Sequence, residues 1–219
     1  MVKEGGRTIR ALVNSITVAT VSSFIVLLLG CLAGYALSRF VFKKWKNKDI
    51  AIWILSNRMF PPVAILIPLF LIMRTLRLLD TKTALTIAHT LYNLPLAVWL
   101  MLDFFNELPK DIEEAALVDG CSRLGVFFKI AVPLSASGLV AVYVLCFIFS
   151  WSEILFAVTL SYSKNMTFPV MIAGALTVRG LDFWKVSALT LIAVTPPVIL
   201  ATTMSKYLIR GLTLGAVKG

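Results

Sequence analysis

Apolar residues gather into five long runs, at about 16–37, 50–73, 84–102, 134–158 and 184–207. Crossing about 30 Å of hydrocarbon takes roughly 20 helical residues, so each run predicts a transmembrane helix. Lipid offers no partners for open backbone groups, which leaves helices as the only plausible spans here. The expected fold is therefore an all-α membrane protein with five transmembrane helices in one domain over 1–219. A sixth apolar stretch, 168–178, is too short to cross. It predicts an external helical loop, either a lid on the membrane surface or a finger that probes a partner.

Between the third and fourth runs lies a different pattern, a charged insert at 103–133. Leu108-Pro109-Lys110-Asp111 opens a helix, with proline tolerated in the first turn. Asp111, Glu113 and Glu114 crowd its N-terminal turns, where the helix dipole favours negative charge. Ile112, Ala115 and Ala116 fall at i, i+3 and i+4 and predict a narrow face of small residues. Gly120 can take the left-handed geometry that ends a helix, and Ser122 is a good cap for the next one. Leu124, Phe127 and Phe128 repeat the same spacing on that second helix, and Pro133 marks entry to the fourth span. Two readings of this helix-turn-helix stand open: an interfacial helix dipping its phenylalanines into lipid, or a docking knob.

Charge orients the spans. The first connection, 39–48, holds Arg39, Lys43, Lys44, Lys46 and Lys48, and basic loops lie on the cytoplasmic side. Alternation then puts 74–83 and 159–183 outside, and the insert and C-terminus inside, in line with Lys206, Arg210 and Lys218. Lys3, Arg7 and Arg10 fall outside, against the rule. A preceding span absent from this chain would account for them; the other reading is a native five-span protein. No cleavable signal peptide is evident.

Composition adds exclusions. The chain has 219 residues, 59% hydrophobic, with a formal net charge of +10. Its basic residues flank apolar runs as topogenic charges do, so no nucleic-acid partner is expected; the lipid bilayer is the solvent. Cys31, Cys121 and Cys146 lack metal-ligand spacing, and no metal site is expected. There is no phosphate-binding G-x-x-x-x-G-K-[ST] loop, so the chain should not hydrolyse ATP.

Polar groups inside a membrane are costly and tend to face a protein interior or a water-filled cavity. Arg58 lies about 12 Å past Ile50 at 1.5 Å per residue, just before Pro61-Pro62, with Ser56 and Asn57 beside it. Such a broken helix could line a pathway, or Arg58 could snorkel to the headgroups. Glu153 lies roughly 28 Å beyond Leu134 along its helix, near the outer end, which argues against an Arg58–Glu153 ion pair. A cavity or partner chain is its expected neighbour. His89, Tyr92 and Asn93 share one face of the third span. Asn57, Arg58, His89, Asn93 and Glu153 are the pathway candidates.

The pattern Glu114-Ala115-Ala116, three residues, Gly120, nine residues, Ile130-Ala131-Val132-Pro133 resembles the EAA loop of permease subunits in binding-protein-dependent ABC importers. Val132 departs conservatively from the usual leucine. Arg58-Met-Phe-Pro-Pro-Val63, Trp151-Ser-Glu153 through Leu160, and the tail 211–219 are similar to the carbohydrate-importing, maltose-transporter-type branch. The first of that branch's six usual spans has no counterpart.

The resemblance implies a type I importer permease core in a bacterial or archaeal plasma membrane. It implies a second homologous permease, two ATPase subunits that carry ATP and Mg, an external solute-binding protein, and no cofactor on this chain. It also implies that Glu114, Ala115, Ala116 and Gly120 shape a helix that docks on the ATPase. Asp119, Phe127, Phe128 and Pro133 complete the candidate coupling set, the two phenylalanines as anchors. The expected function is passage of a sugar, oligosaccharide or polyol by alternating access. An ion-coupled secondary transporter would show an inverted repeat and several buried acids, neither of which is evident. A structural subunit recruiting a soluble enzyme would carry the same knob without needing intramembrane polar groups.

Overall fold

A computed structural model describes residues 2–177, 180–181 and 183–206. The expected end of the last span at Tyr207 and the tail 211–219 lie outside them. The long helices are α1 (Val2–Arg39), α4 (Lys82–Glu107), α8 (Ala136–Trp151) and α11 (Phe183–Thr203). Shorter helices are α2 (Asn47–Ser56), α3 (Pro62–Thr75), α5 (Lys110–Val118), α6 (Arg123–Val126), α7 (Val132–Leu134), α9 (Leu155–Leu160) and α10 (Phe168–Ala173).

α1 has 38 residues, about 57 Å at 1.5 Å per residue, far more than a bilayer core. Its N-terminal part, which carries Arg7, Arg10 and Asn14, therefore projects beyond the hydrocarbon. That is why the helix starts well before residue 16.

Two expected spans are not straight. The helix through Asn47–Met59 and α3 meet at 88°. Pro62 opens α3, and Pro61 precedes it with extended φ and ψ of −57° and 129°. Proline disfavours helix in the residue before it, so two in succession stop one helix and start another. A 75° bend separates Arg123–Leu134 of the insert from α8 at the entry to the fourth run, and that run breaks after Trp151. Three helices of the described residues are long and apolar enough to cross alone, or up to five spans if each bent pair counts as one. Within 168–177 only α10 is helical. It continues into a two-residue ribbon pairing Leu176 with Leu181 and Thr177 with Gly180, a correction to the all-helical expectation for this loop.

α1, α4 and α8 form the centre. Gly30 and Gly34, one turn apart on α1, let its backbone approach α4. A Cβ on Gly34 would stand 2.7 Å from the Leu102 nitrogen and 2.9 Å from the Met101 carbonyl carbon; one on Gly30 would stand 2.9 Å from the Ala97 Cβ. Small residues four apart are a common way to bring membrane helices this close. Beyond them Val26, Cys31, Met101, Phe105, Val142 and Cys146 pack into one core. A second core, nearer the other end, joins Val18, Leu69, Leu85, Ala88, Phe156 and Leu160.

Replacing Gly34 by alanine should lower stability by about 1–3 kcal/mol, the cost of overpacking a tight contact. Alanine at Gly5, where an added Cβ meets nothing within 4 Å, should not. Melting temperatures of the two variants in detergent check this; equal melting would show that α1 and α4 can separate freely.

Candidate coupling loop and intramembrane polar network

The insert folds as a short helical hairpin whose turn chemistry is local. Gly120 has φ +86°; its N–H donates to the Leu117 carbonyl at 3.1 Å, and Cys121 N–H donates to the Ala116 carbonyl at 3.0 Å. That pair of bonds is a Schellman cap, which needs a left-handed residue at this position. Ser122 then accepts from Gly125 N–H at 3.1 Å and caps α6. From Phe127 to Ala131 the helix widens into a π turn, with Val132 N–H donating to the Phe127 carbonyl. Pro133 follows, and it has no N–H to give the preceding turn.

The loop is held to the spans by one buried ion pair. Glu113 Oε1 lies 2.8 Å from Arg39 Nη2, and both side chains are 8% exposed. Arg39 Nε donates to the same oxygen at 2.9 Å, Tyr35 O–H donates to Oε2 at 2.7 Å, and Arg39 Nη2 donates to the Leu108 carbonyl at 3.2 Å. Tyr35 also meets Phe105 and Phe127 edge-on and tilted, with ring centres 5.3 and 4.8 Å apart. Sequence reading missed this pairing and assigned Glu113 to the helix dipole alone. The only available signal was a basic residue closing the first span and an extra carboxylate beside the Glu-Ala-Ala triplet.

The faces of α5 differ from expectation. Glu113 and Ala116 point inward, whereas Ile112, Glu114, Ala115 and Asp119 are exposed and Val118 is 88% exposed. Ile112, Ala115 and Ala116 thus do not form one shared face. On the second arm Phe128 is 58% exposed but Phe127 only 4%. Adjacent helical residues point about 100° apart, and Phe127 belongs to the aromatic cluster with Tyr35 and Phe105. This corrects its assignment as an outward anchor. Phe128, Leu124 and Pro133 remain on the surface.

The pathway candidates divide into three sites. Arg58 does not snorkel. Its Nη1 donates to the Tyr92 carbonyl at 2.8 Å and to Asn93 Oδ1 at 3.0 Å, and the guanidinium sits 4.5 Å from the Tyr92 ring centre and 4.9 Å from that of Phe149. Hydrogen bonds and cation–π attraction together pin the bend before Pro61 to α4 and α8. Asn57 stays apart, exposed, its amide donating to the Trp53 carbonyl at 2.8 Å.

His89 and Asn93 are both buried inside this subunit. His89 Nδ1 is 2.6 Å from Ser150 Oγ, and Ser150 is 2.9 Å from Ser22 Oγ, a polar thread through α4, α8 and α1. His89 Nε2 lies 3.3 Å from Glu153 Oε2 without hydrogen-bond alignment.

Glu153 is not at the end of a straight helix. The chain breaks after Trp151, and the carboxylate accepts from Phe156 N–H at 3.0 and 3.1 Å and from Ala157 N–H at 3.2 Å. It therefore caps α9, where a negative charge meets the positive end of the helix dipole. Within the subunit its carboxylate also faces His89. No Arg58–Glu153 ion pair is present among the described residues; the depth estimate assumed straight helices, and both segments are broken.

At the opposite end of the molecule Asp80 clips two loops together. It takes a left-handed φ of 55° and donates its own N–H to the Leu160 carbonyl at 2.8 Å. Its carboxylate accepts from Tyr162 and Ser163 N–H, each at 3.2 Å, and from the Ser163 hydroxyl. Desolvation pushes its pKa up, but the donors from Ser163, Tyr162 and Lys164 outweigh that and hold it below the ordinary carboxylate value.

Residues 12–214 match the family model described as binding-protein-dependent transport system inner membrane component. The chain belongs to this family. It is therefore a multi-pass inner-membrane subunit of an ABC transport system and not itself a catalytic subunit, which sets aside ion-coupled secondary transport. It is 37% identical over 207 residues to the inner membrane ABC transporter permease protein YcjP of Escherichia coli, covering 94% of this chain and 73% of that protein. It is also 37% identical over 208 residues to the trehalose/maltose transport system permease protein MalG of Thermococcus litoralis, covering 94% and 74%. Over 212 residues it is 37% identical to the sulfoquinovosyl glycerol transport system permease protein SmoH of Agrobacterium fabrum, covering 95% and 73%. Its fold is that of a chain of a bacterial ABC transporter that imports the acidic polysaccharide alginate, with TM-score 0.70, 24% identity and coverage of 92% and 75%. It is also that of a chain of the inward-facing MetNI methionine transporter, with TM-score 0.76, 14% identity and coverage of 95% and 98%.

Replacing Glu113 by alanine leaves Arg39 buried without its partner. Breaking a buried pair costs about 3–5 kcal/mol; the cleft beside Arg39 and Glu113 admits water, so a loss near about 3 kcal/mol is expected. Glu113→Gln, which keeps acceptor and size, should lose less. Thermal melting of both variants in detergent measures it, and an unchanged Glu113→Ala midpoint would show that the pair does not hold the loop.

Proposed function

We propose that this chain is one permease of a type I ABC importer for a sugar, oligosaccharide or polyol, working by alternating access. The observation that carries the coupling half of the reading is the split personality of α5. One side is locked to α1 through Glu113 and Arg39, while the other presents Ile112, Glu114, Ala115, Val118 and Asp119 outward. A helix fixed on one face and bare on the other transmits a push from a docked partner into the spans. The small Ala115 side chain permits close seating, and Phe128 supplies an exposed ring beside it.

In this reading the partner is a cytoplasmic ATPase dimer that binds ATP and Mg. A second, homologous permease and an external solute-binding protein complete the assembly, and the C-terminus faces the cytoplasm. Glu114, Ala115, Ala116, Asp119, Gly120 and Pro133 set the shape of the docking hairpin. The carbohydrate class is supported by relatives named for trehalose and maltose, sulfoquinovosyl glycerol and arabinooligosaccharides.

The intramembrane groups have a mechanical role in this account. Arg58, Asn93, His89 and Glu153 bind helix to helix at the bends and breaks where alternating access needs defined hinges. Their buried positions support a part in holding the two conformations more than direct contact with solute.

Gly120 tests the docking hairpin. An added Cβ there meets no neighbour, so the cost is backbone strain of about 1–2 kcal/mol for leaving the left-handed region to a non-glycine residue. Gly120→Val in the assembled importer should cut ATP-driven uptake at least about tenfold, the rate equivalent of roughly 1.4 kcal/mol, while the permease still folds. ATP hydrolysis should persist without uptake. Normal uptake in proteoliposomes would remove the hairpin from the coupling path.

A further inference from the structure

The connection between α1 and α2 lies at the hairpin end of the bundle and mixes cations with apolar side chains. Val41, Phe42, Lys43, Lys44, Trp45 and Lys46 are all exposed, Val41 by 91% and Trp45 by 62%. Lys48 follows, also exposed, in the first turn of α2. The loop is folded, not slack. Asn47 Nδ2 donates to the Leu37 carbonyl at 2.7 Å and to the Phe40 carbonyl, and Asn47 Oδ1 accepts from Phe42 N–H at 3.3 Å. One side chain thus ties the loop to the end of α1. Arg123 of the hairpin covers Phe40, its guanidinium 5.3 Å from the ring centre.

None of the four lysine side chains forms an ion pair or hydrogen bond with a described residue. The acids that could compensate them are occupied, unpaired with them or remote. Asp49, the single acid between Arg39 and Asp80, sits in the first turn of α2, where the helix dipole favours it. Glu113 is taken by Arg39. The exposed acids at the end of α4 and on the hairpin pair with none of the four. Positions 207–219 hold no aspartate or glutamate. Glu4 is about 52 Å along α1 from Arg39 at 1.5 Å per residue. Leu181, the neighbour of Asp182, pairs with Leu176 beside Ala175, which packs on Ala11 at that same far end.

The depth of the loop points to its partner. Positions 11–38 of α1 carry no charge, a length of about 42 Å. A bilayer with its headgroup layers measures about 40–45 Å, so the chain leaves α1 at headgroup level. Tryptophan and phenylalanine settle there with their rings at the acyl boundary. Lysine stems lie along apolar surface while the ammonium groups reach the phosphates. A neutral headgroup layer would take the rings and leave the charges without a counter-ion; an anionic one takes both.

We propose that the 40–48 loop binds anionic phospholipid headgroups, with Lys43, Lys44, Lys46 and Lys48 on the phosphates and Phe42 and Trp45 at the acyl boundary. Asn47 joins this loop to the helix end that carries Arg39, so the lipid contact steadies the part of α1 on which the hairpin rests. The proposal needs only that the chain crosses a membrane and stands apart from what is transported.

The test uses the assembled importer in phosphatidylcholine nanodiscs that contain brominated phosphatidylglycerol or brominated phosphatidylcholine as fluorescence quenchers. Subtracting the emission of a Trp45→Phe variant isolates Trp45. Brominated phosphatidylglycerol should quench Trp45 at an at least about tenfold lower mole fraction than brominated phosphatidylcholine, and the preference should collapse in about 1 M salt, where screening acts within ~3 Å. Changing Lys43, Lys44, Lys46 and Lys48 together to Gln should abolish it, and changing them to Arg should keep it. These charges also orient the helices during insertion, so Lys43→Gln with Lys44→Gln, which leaves Lys46 and Lys48, is measured beside them and should lose at least about half of the preference. Equal quenching by the two lipids, or a preference that survives both the salt and the double variant, overturns the proposal. Inorganic phosphate that removes the preference when chloride at equal ionic strength does not overturns it in favour of a free-phosphate site. Absence of quenching by either lipid overturns it too, because the loop is then in water or under a partner subunit.

Discussion

The backbone contact between α1 and α4 at Gly30 and Gly34 sets the position of nearly everything at the hairpin end of the bundle. With no side chain between them, the two helices run together for a full turn. The residues just past Gly34 then fall into register with the end of α4. Tyr35 meets Phe105, Ser38 donates to Asn106 at 2.8 Å, and Arg39 reaches both the Leu108 carbonyl and Glu113. The α5–α6 hairpin inherits its placement from this helix contact. A small displacement of that contact would move the hairpin with it, which is what a mechanical link requires.

The energetics favour stiffness at the two ends and articulation between them. Glu113 with Arg39 is a costly pair to bury and a costlier one to break, so it fixes geometry more than it adds stability. Asp80 does the same at the other end, where it ties the turn before α4 to the loop after α9. Between these ends the backbone is interrupted at Pro61, at Ser135 and after Trp151. At the first of these a buried or half-buried side chain bridges the gap: Arg58 reaches across to α4. At the last, Glu153 caps the next helix while facing His89. Packed elements joined at discrete breaks are the kind of bistable architecture that alternates between two states.

Much of this was legible in the chain. Apolar runs pointed to the helices long and apolar enough to cross, three alone or up to five with each bent pair as one span, and Pro61-Pro62 marked the sharpest bend. Gly120 and Ser122 announced their cap geometry because such turns depend on nearest neighbours alone. What the sequence hid was long-range or register-dependent. Arg39 and Glu113 are 74 positions apart, and nothing local pairs them. Phe127 and Phe128 looked equivalent, but only Phe127 packs against Tyr35 and Phe105, residues far from it in the chain. Glu153 seemed to lie on a continuous helix because Ile154 and Leu155 keep the run apolar through the break. The Gly30-x-x-x-Gly34 spacing was visible all along, but a hydropathy count weighs greasiness and ignores size.

The central claim is that the outer face of the α5–α6 hairpin is on the cytoplasmic side and covered by an ATPase. Cys121, at the hairpin's turn, is partly exposed, whereas Cys31 and Cys146 are buried, so the native thiol is a ready reporter. A membrane-impermeant maleimide should label Cys121 only from the cytoplasmic side, and bound ATPase subunits should slow that labelling at least about tenfold, the factor given by roughly 1.4 kcal/mol of differential protection. Labelling from the external side, or an unchanged rate with the ATPase in place, would contradict the account.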